Sequence, residues 1–145
     1  MRVAIGADHA GFRLKEHLGK KLLEWGHEVI DLGTSSAVSV DYPEYGAAVG
    51  RAVVSGQAER GVAVCGSGVG ISIAANKVCG VRAALVNEPV TARMSREHND
   101  ANVICFGERY IGVALAEAAL EVFLATAFAG GRHQGRVAKL SALEE

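Results

Sequence analysis

Short apolar runs alternate with amphipathic stretches along the whole chain. Five of the runs have the length of buried strands, and they lie at residues 2–7, 28–32, 61–65, 81–86 and 102–106. Between the first two runs, Leu14, Leu18 and Leu22 recur at helical spacing, with Lys15 on the polar side, so residues 12–25 are predicted to form a helix. Further helices are predicted from Pro43 to residue 54, after the glycine-rich stretch at residues 66–70, and over residues 88–98, 112–128 and 137–143.

Strands that alternate with helices build a parallel sheet covered on both faces. We therefore expect an α/β fold, a three-layer α/β/α sandwich of Rossmann-like type around a five-stranded parallel sheet. The carboxyl ends of parallel strands meet at one edge, where such folds bind ligands. This rule predicts that the polar residues after strands one, three, four and five share one rim, namely Asp8 and His9, residues 65–70, Asn87 and Glu88, and residues 107–109.

Composition narrows the class of protein. The chain has 145 residues, 50% of them apolar, which suits a single domain over residues 1–145. A net charge of −1 produces no overall positive potential that would attract nucleic acid or an anionic membrane. The apolar runs are too short for a transmembrane helix. Cys65, Cys79 and Cys105 are odd in number and lack CxxC pairing, which argues against disulfides and zinc. With no signal-peptide pattern, we expect a cytoplasmic protein.

The stretch at residues 62–77 reads as a buried strand, a glycine-rich turn and the start of a helix. Successive N–H groups at such a turn, together with the positive end of the helix, favour a bound anion, with Cys65 and Ser67 at its mouth. A dinucleotide fingerprint is excluded because Ile71 stands where its third glycine belongs, and a nucleotide P-loop is excluded by the position of Lys77. The alternative is a tight turn with a core cysteine, and the turn alone does not decide.

Other polar residues also allow two interpretations. Asp8 and His9 end a buried strand, where they either bind a substrate or, in the case of Asp8, cap the next helix. His98 at a helix end would be stabilised by the helix dipole as an ordinary surface residue. Arg132 and Arg136 are either a solvated basic pair or a phosphate clamp in a C-terminal segment at residues 130–145. We expect no metal site, because no pair among Asp8, His9 and His98 has a metal-ligand spacing.

Five colinear motifs cover essentially the whole chain and resemble the type B ribose-5-phosphate isomerases, a family that also contains allose- and galactose-6-phosphate isomerases. The motifs are GADHAGF at residues 6–12, DYP at 41–43, CGSGVGISIAANK at 65–77, SREHNDANV at 95–103 and GGRHQ at 130–134. The resemblance implies interconversion of an aldose phosphate and its ketose through an enediolate, with no metal or organic cofactor. It is specific for the family and less specific for the sugar.

The resemblance also implies a role for each matching residue. Cys65 would be the base that moves a proton between C1 and C2. A second branch of the family uses a glutamate where this chain has Ile71, and because isoleucine cannot act as a base, this chain is expected to belong to the cysteine branch. His98, with Asp8, would open the sugar ring, and the hydroxyl of Ser67 would handle sugar oxygens. The remaining predicted contacts are to the enediolate (backbone of Gly66, Gly68, Val69 and Gly70), to the phosphate (His9, Arg109, Arg132 and Arg136) and to the sugar (Tyr42 and Asn99).

Family members place the active site between two subunits, so the resemblance implies a homodimer or a dimer of dimers. The expected substrate is ribose 5-phosphate, with allose 6-phosphate or galactose 6-phosphate as alternatives.

Two other classes of protein stay open. A non-catalytic sugar-phosphate sensor would keep the arginines without needing Cys65 or His98, and a cysteine hydrolase or phosphatase would form a covalent intermediate at Cys65, although residues 66–71 lack a phosphatase arginine.

Overall fold

A computed structural model describes residues 1–144, which form five strands and six helices in strict alternation up to the last helix. Their bounds are β1 Arg2–Ala7, α1 Phe12–Glu24, β2 Glu28–Asp31, α2 Tyr42–Val54, β3 Arg60–Cys65, α3 Val69–Asn76, β4 Ala83–Leu85, α4 Pro89–Asn99, β5 Val103–Gly107, α5 Val113–Ala125 and α6 Arg132–Ser141. Over the described part of the chain, no helix is long and apolar enough to cross a membrane.

The five strands form one all-parallel sheet in the order β2-β1-β3-β5-β4. Helices α1, α4 and α5 pack on one face, around a cluster that includes Leu18, Leu120 and Phe123. Helices α2 and α3 cover the other face through Val49 and Ile71. The predicted three-layer α/β/α sandwich is therefore confirmed.

Side chains of β3 alternate between the two layers, as the period of a strand requires. Val62 and Val64 pack towards α1, α4 and α5, whereas Ala63 and Cys65 pack towards α2 and α3. In the sheet, β2 lies on one side of β1 and β3 lies on the other, so the strand order reverses direction between β1 and β3. A crevice opens between the carboxyl ends of two strands at such a point. Cys65, the last residue of β3, lies at this crevice.

Lys15 departs from the sequence pattern. The helical pattern predicts it on the polar side of α1, but its side chain is only 1% exposed. Its ammonium donates to both carboxylate oxygens of Asp31, at 2.8 and 2.7 Å, and also lies 2.9 Å from Glu16. A buried charge needs a partner, and the carboxylate at the end of β2 supplies one.

Three elements, α6, α5 and β4, have bounds that differ from the predicted ones by more than one residue. Helix α6 begins at Arg132 rather than at residue 137, because Gly130 and Gly131 adopt positive φ angles of 65° and 55° and the polar residues that follow continue directly into the helix. None of the residues of α6 is buried, so apolar periodicity did not mark its first turn. Helix α5 ends at Ala125, where Thr126 becomes extended, and β4 is only three residues long.

A side chain covers the outer edge of strand β4. Asn76, the last residue of α3, donates from Nδ2 to the carbonyl of Ala83 at 3.0 Å and accepts the N–H of Ala83 on Oδ1 at 2.8 Å. These two hydrogen bonds are the pair that a neighbouring strand would make. The amide therefore ends the ladder at the open edge of the sheet.

Gly11 provides a test of how closely α1 approaches the sheet. A Cβ at Gly11 would lie 2.4 Å from the carbonyl oxygen of Val64, whereas a Cβ at Gly19, in the middle of α1, would meet nothing within 4 Å. We expect Gly11→Ala to lower the free energy of unfolding by about 1–3 kcal/mol. The matched variant Gly19→Ala should raise it by about 0.5–1 kcal/mol, because alanine favours the helix. Urea denaturation at one protein concentration measures both, and equal stability of the two variants would contradict the packing.

Candidate active site

A cleft of about 250 Å³ lies at the carboxyl edge of the sheet, and we call it the thiol cleft. Its lining comes from the segments after β1, β3 and β5 and from the start of α2, namely Asp8, His9, Ala10, Tyr42, Cys65, Gly66, Ser67, Gly70, Arg109 and Tyr110. The rim predicted for these three strands is thus present. Glu88, after β4, has a different task, because its carboxylate caps α4 by accepting the N–H groups of Val90 and Thr91, each at 2.6 Å.

Cys65 lies at the base of the thiol cleft and is 4% exposed. The N–H of Gly68 donates to its Sγ at 3.1 Å, and such a bond stabilises negative charge on sulfur. Gly68 has a φ of 78° at the N-cap of α3, a conformation that glycine adopts without strain. The N–H of Val69 donates to Ser67 Oγ at 3.2 Å, so two of the predicted anion-binding N–H groups have partners within the turn itself.

Arg109 covers the glycine turn. One terminal nitrogen of its guanidinium lies 3.2 Å from the position that a Cβ on Gly66 would occupy. The N–H of Arg109 donates to the carbonyl of Gly66 at 3.1 Å, and the N–H of Glu108 donates to the carbonyl of Cys65 at 2.9 Å. The end of β5 is therefore hydrogen-bonded to the turn after β3, which places a permanent cation over the thiol cleft.

Asp8 and His9 have both structural contacts and access to the cleft. Asp8 Oδ1 accepts the N–H groups of Ala10 at 2.9 Å and Gly11 at 3.1 Å, so one oxygen closes the turn before α1. His9 Nδ1 lies 3.1 Å from both the N–H and the carbonyl of Val40, which anchors the loop between β2 and α2 at the cleft. The ring of Tyr42, which is 41% exposed, lies over Gly70 on the same side.

A second cleft of about 430 Å³ contains three of the other predicted residues, His98, Asn99 and Arg136, and we call it the histidine cleft. It lies between α4 and α6 and is lined by His98, Asn99, His133, Arg136, Val137 and Leu140. The rings of His98 and His133 stack with their centroids 4.3 Å apart and an angle of 14° between planes. Arg132 begins α6 next to His133, so both C-terminal arginines are close to this cleft.

The two clefts lie at opposite edges of the sheet. Helix α4 starts after the carboxyl end of β4 and runs back towards the amino ends of the strands. Its last residue, Asn99, comes only a few residues before Val103, at the amino end of β5. Cys65 pairs with Gly107 at the other end of β5, and a strand of this length spans about 17 Å. One chain therefore brings Cys65, Asp8 and Arg109 together but does not bring them to His98.

Two arginines fix the end of α4 that presents His98 and Asn99. Asp100 adopts a left-handed φ of 47° and accepts from Arg96 at 2.8 Å and from Arg82 at 3.2 Å. Arg96 is 2% exposed and also donates to the backbone carbonyls of Ala101 and Thr126. These contacts stabilise a helix end that would otherwise fray.

Sequence reasoning assigned no role to His133 or Tyr110, which also line the clefts. For His133 a signal existed, because His133, Arg136, Val137 and Leu140 have the spacing of one helix face. Because the predicted start of α6 was residue 137, His133 lay outside the predicted helix and this spacing was not recognised. Tyr110 is 75% exposed and follows Arg109 directly, and no pattern in the sequence distinguishes it from a surface residue.

Among residues 1–144, no three histidine, cysteine, aspartate or glutamate side chains lie together as a metal-ligand set would. The imagined set of Asp8, His9 and His98 is divided between the two clefts.

Comparison with known proteins identifies the family. Residues 3–140 match the family model described as Ribose/Galactose Isomerase. The chain belongs to this family. The resemblance predicted from the five motifs is therefore confirmed, and nearly the whole chain takes part in the match.

Individual relatives are similar over most of their length. The chain is 47% identical to ribose-5-phosphate isomerase B of Escherichia coli K12 over 144 residues, which covers 99% of this chain and 97% of that protein. A galactose-6-phosphate isomerase subunit of Clostridium acetobutylicum is also 47% identical, over 86% of this chain and 72% of that protein. Among solved structures, ribose-5-phosphate isomerase B of Clostridium thermocellum superposes with a TM-score of 0.98 at 50% identity, covering 99% of this chain and 97% of that one.

The stacked pair in the histidine cleft predicts a pH effect. Desolvation lowers the pKa of His133 below its ordinary value, and His98, Arg132 and Arg136 lower it further, while Glu97 opposes them. The unfolded chain then binds a proton more readily, so this residue costs stability as the pH falls through the ordinary histidine pKa. We expect His98→Ala to raise the pKa of His133, and Glu97→Gln to lower it, in an NMR titration of the imidazole C–H signals. An unchanged pKa in both variants would contradict the stacking.

Proposed function

We propose that the protein interconverts ribose 5-phosphate and ribulose 5-phosphate, with Cys65 as the base. The observation that carries this proposal is the thiol of Cys65 in the lining of the thiol cleft, hydrogen-bonded by a turn N–H, with the guanidinium of Arg109 beside the adjoining Gly66. The full-length similarity to ribose-5-phosphate isomerase B of Escherichia coli supports the choice of sugar. We further propose a single cytoplasmic domain that acts in the pentose phosphate pathway.

Phosphate binding comes first in this mechanism. His9 and Arg109 line the thiol cleft and hold the phosphate by charge-assisted hydrogen bonds. Binding energy from the unreactive phosphate then aligns C1 and C2 with the sulfur of Cys65. Tyr42 lies beside this position and contacts the sugar.

Proton transfer follows. The thiolate of Cys65 removes the proton from C2, the C2–H electron pair forms the C1–C2 double bond, and the carbonyl electrons move onto O1 to give an enediolate. The thiol then returns the proton to C1, and the hydroxyl proton of O2 passes to O1 as the carbonyl forms at C2. The N–H groups of the turn at residues 66–70, apart from those of Gly68 and Val69, which are bonded to Cys65 and Ser67, donate to the developing oxyanion together with the hydroxyl of Ser67. Each such donor contributes about 3 kcal/mol to lowering the barrier. Cys105 cannot replace Cys65, because burial, with a smaller effect of Cys65, raises the pKa of its thiol far above the ordinary value. These residues supply the chemistry without a metal or organic cofactor.

Ring opening needs His98 and Asp8, which lie in different clefts of one chain. We therefore infer a homodimer, or a dimer of dimers, in which the histidine cleft of one subunit meets the thiol cleft of its neighbour. His98 would then transfer the ring proton with Asp8, Asn99 would contact the sugar, and Arg132 and Arg136 would hold the phosphate together with the first subunit's residues. Exposed apolar residues of α3, Val69 at 49% and Ile73 at 55%, favour such an association.

A hexose phosphate is the second candidate substrate. The galactose-6-phosphate isomerase subunit of Clostridium acetobutylicum is as similar, over a shorter stretch, as the Escherichia coli enzyme. Residues 34–40 of this chain end at Val40, which His9 anchors beside the cleft, so this loop borders the space that an additional CHOH group would need. Turnover of allose 6-phosphate or galactose 6-phosphate without ribose 5-phosphate would favour this alternative.

Substitution of Cys65 tests the proposed base. We expect Cys65→Ala to lower kcat for ribose 5-phosphate at least about a hundredfold, because a positioned base contributes that much to proton transfer. Cys79→Ala is the matched control, since Cys79 is exposed, and it should leave kcat unchanged. Activity should also survive EDTA. A fully active Cys65→Ala variant would overturn the base, and a wild-type protein that binds sugar phosphates without turnover would favour a sensor.

Mixing of variants tests the shared site. Cys65→Ala and His98→Ala should each be nearly inactive, but a random mixture made by joint refolding should regain about a quarter of the wild-type activity, because half of the dimers are mixed and each holds one intact site. Cys65→Ala mixed with Asp8→Ala is the control, since both residues belong to one cleft, and it should stay inactive. If the first mixture stayed as inactive as its parents, the two clefts would not combine between subunits.

A further inference from the structure

The N-terminus of α1 depends on a carboxylate from a distant part of the chain. Gly11 is the N-cap and has no side chain to accept the free N–H groups of the first turn. Asp8 takes the N–H groups of Ala10 and Gly11. The N–H of Leu14 donates instead to Glu108 Oε1 at 2.6 Å, across a separation of 94 residues. A carboxylate at this place is favoured by the helix dipole.

The backbone of Glu108 belongs to the segment that carries Arg109. Its N–H donates to Cys65, and the N–H of Arg109 donates to Gly66. Gly107, just before it, lies so close to Ser67 that a Cβ would be 2.4 Å from the carbonyl of Ser67. Glu108 therefore connects the glycine turn after β3 with the helix that follows Asp8 and His9.

The side chain of Glu108 does not line the thiol cleft. It borders a neighbouring groove with Arg13, Leu14, His17, Ile111 and Val113. Because its carboxylate is held by Leu14, it adds no negative group to the lining where the phosphate is proposed to bind. Its effect on that cleft passes through the residues that it connects.

We propose that Glu108 is a positioning residue that sets the phosphate affinity of the thiol cleft by holding His9 and Arg109 at a fixed separation. The proposal rests on the proposed function, in which both of these residues bind the phosphate. Loss of the contact to Leu14 would remove the hydrogen bond that ties the first turn of α1, next to the turn that carries His9, to the segment that carries Arg109. The sulfur of Cys65 would stay in place, because β3 and the bond from Gly68 fix it.

Kinetics of Glu108→Ala provide the test. We expect KM for ribose 5-phosphate to rise about tenfold and kcat to fall less than about threefold, since binding is misaligned while the base keeps its place. The inhibition constant of inorganic phosphate should rise by the same factor as KM. Glu108→Gln keeps an oxygen that accepts from Leu14, so its KM and inhibition constant should lie within about twofold of the wild-type values.

Glu117→Ala is the matched control for a purely structural loss. Glu117, on α5, pairs with His17 on α1, and neither residue lines the thiol cleft. This variant should lower Tm and leave KM unchanged. The proposal is overturned if Glu108→Ala lowers Tm without changing KM or phosphate inhibition, if Glu108→Gln behaves like Glu108→Ala, or if Glu117→Ala raises KM equally. Should Glu108→Ala not fold, Glu108→Asp, whose shorter side chain withdraws from Leu14, takes its place with the same expectation.

Calorimetric binding of inorganic phosphate separates this proposal from the proposed function. If the wild-type protein showed no isomerase activity but bound phosphate tenfold more tightly than Glu108→Ala, the proposed function would be wrong and the role of Glu108 would stand. If the wild-type protein isomerised ribose 5-phosphate and Glu108→Ala bound phosphate as tightly as the wild-type protein, the proposed role of Glu108 would be wrong. Absence of phosphate binding by the wild-type protein would overturn the role of Glu108 as well.

Discussion

The pairing of β3 between β1 and β5 is the constraint on which the thiol cleft depends. Parallel register places Val64 beside Ala7 and Cys65 beside Gly107, so the residues that follow all three strands emerge at one level. The hydrogen bonds of the segment after β5 to the turn after β3 then fix Arg109 over Gly66. A slip of one residue in β3 would turn Cys65 to the opposite face of the sheet and remove the thiol from the cleft.

The same parallel topology explains why one chain holds only part of the predicted site. A helix that joins two parallel strands must return to the amino edge of the sheet, and α4 carries His98 back with it. The stacking of His133 on His98 adds α6 to that distant group. In the proposed dimer, each copy would offer at the shared site the cleft that the other copy lacks there.

The sequence allowed the fold to be predicted because its apolar runs and glycine turn are local signals. Four strands lie within one residue of their predicted bounds, β4 is a shorter part of its predicted run, and the rim residues Asp8, Cys65 and Arg109 line one cleft as predicted. Family motifs located His98 but could not show its distance from Cys65, which depends on the strand order. Periodicity also missed the burial of Lys15. The cost of burying its charge is offset by Asp31, a partner 16 residues away that the helical pattern does not reveal. Contacts of this kind arise from tertiary structure and leave no repeating pattern.

The amide of Asn76 affects how copies of the chain can associate. By occupying both hydrogen-bonding groups of Ala83, it denies an incoming strand the template that an open sheet edge normally provides. A second molecule cannot continue the sheet at this point and must dock through side chains. Encounters between copies are thereby directed to surfaces whose fit depends on sequence, and the indiscriminate backbone pairing that leads to aggregation is suppressed at this edge.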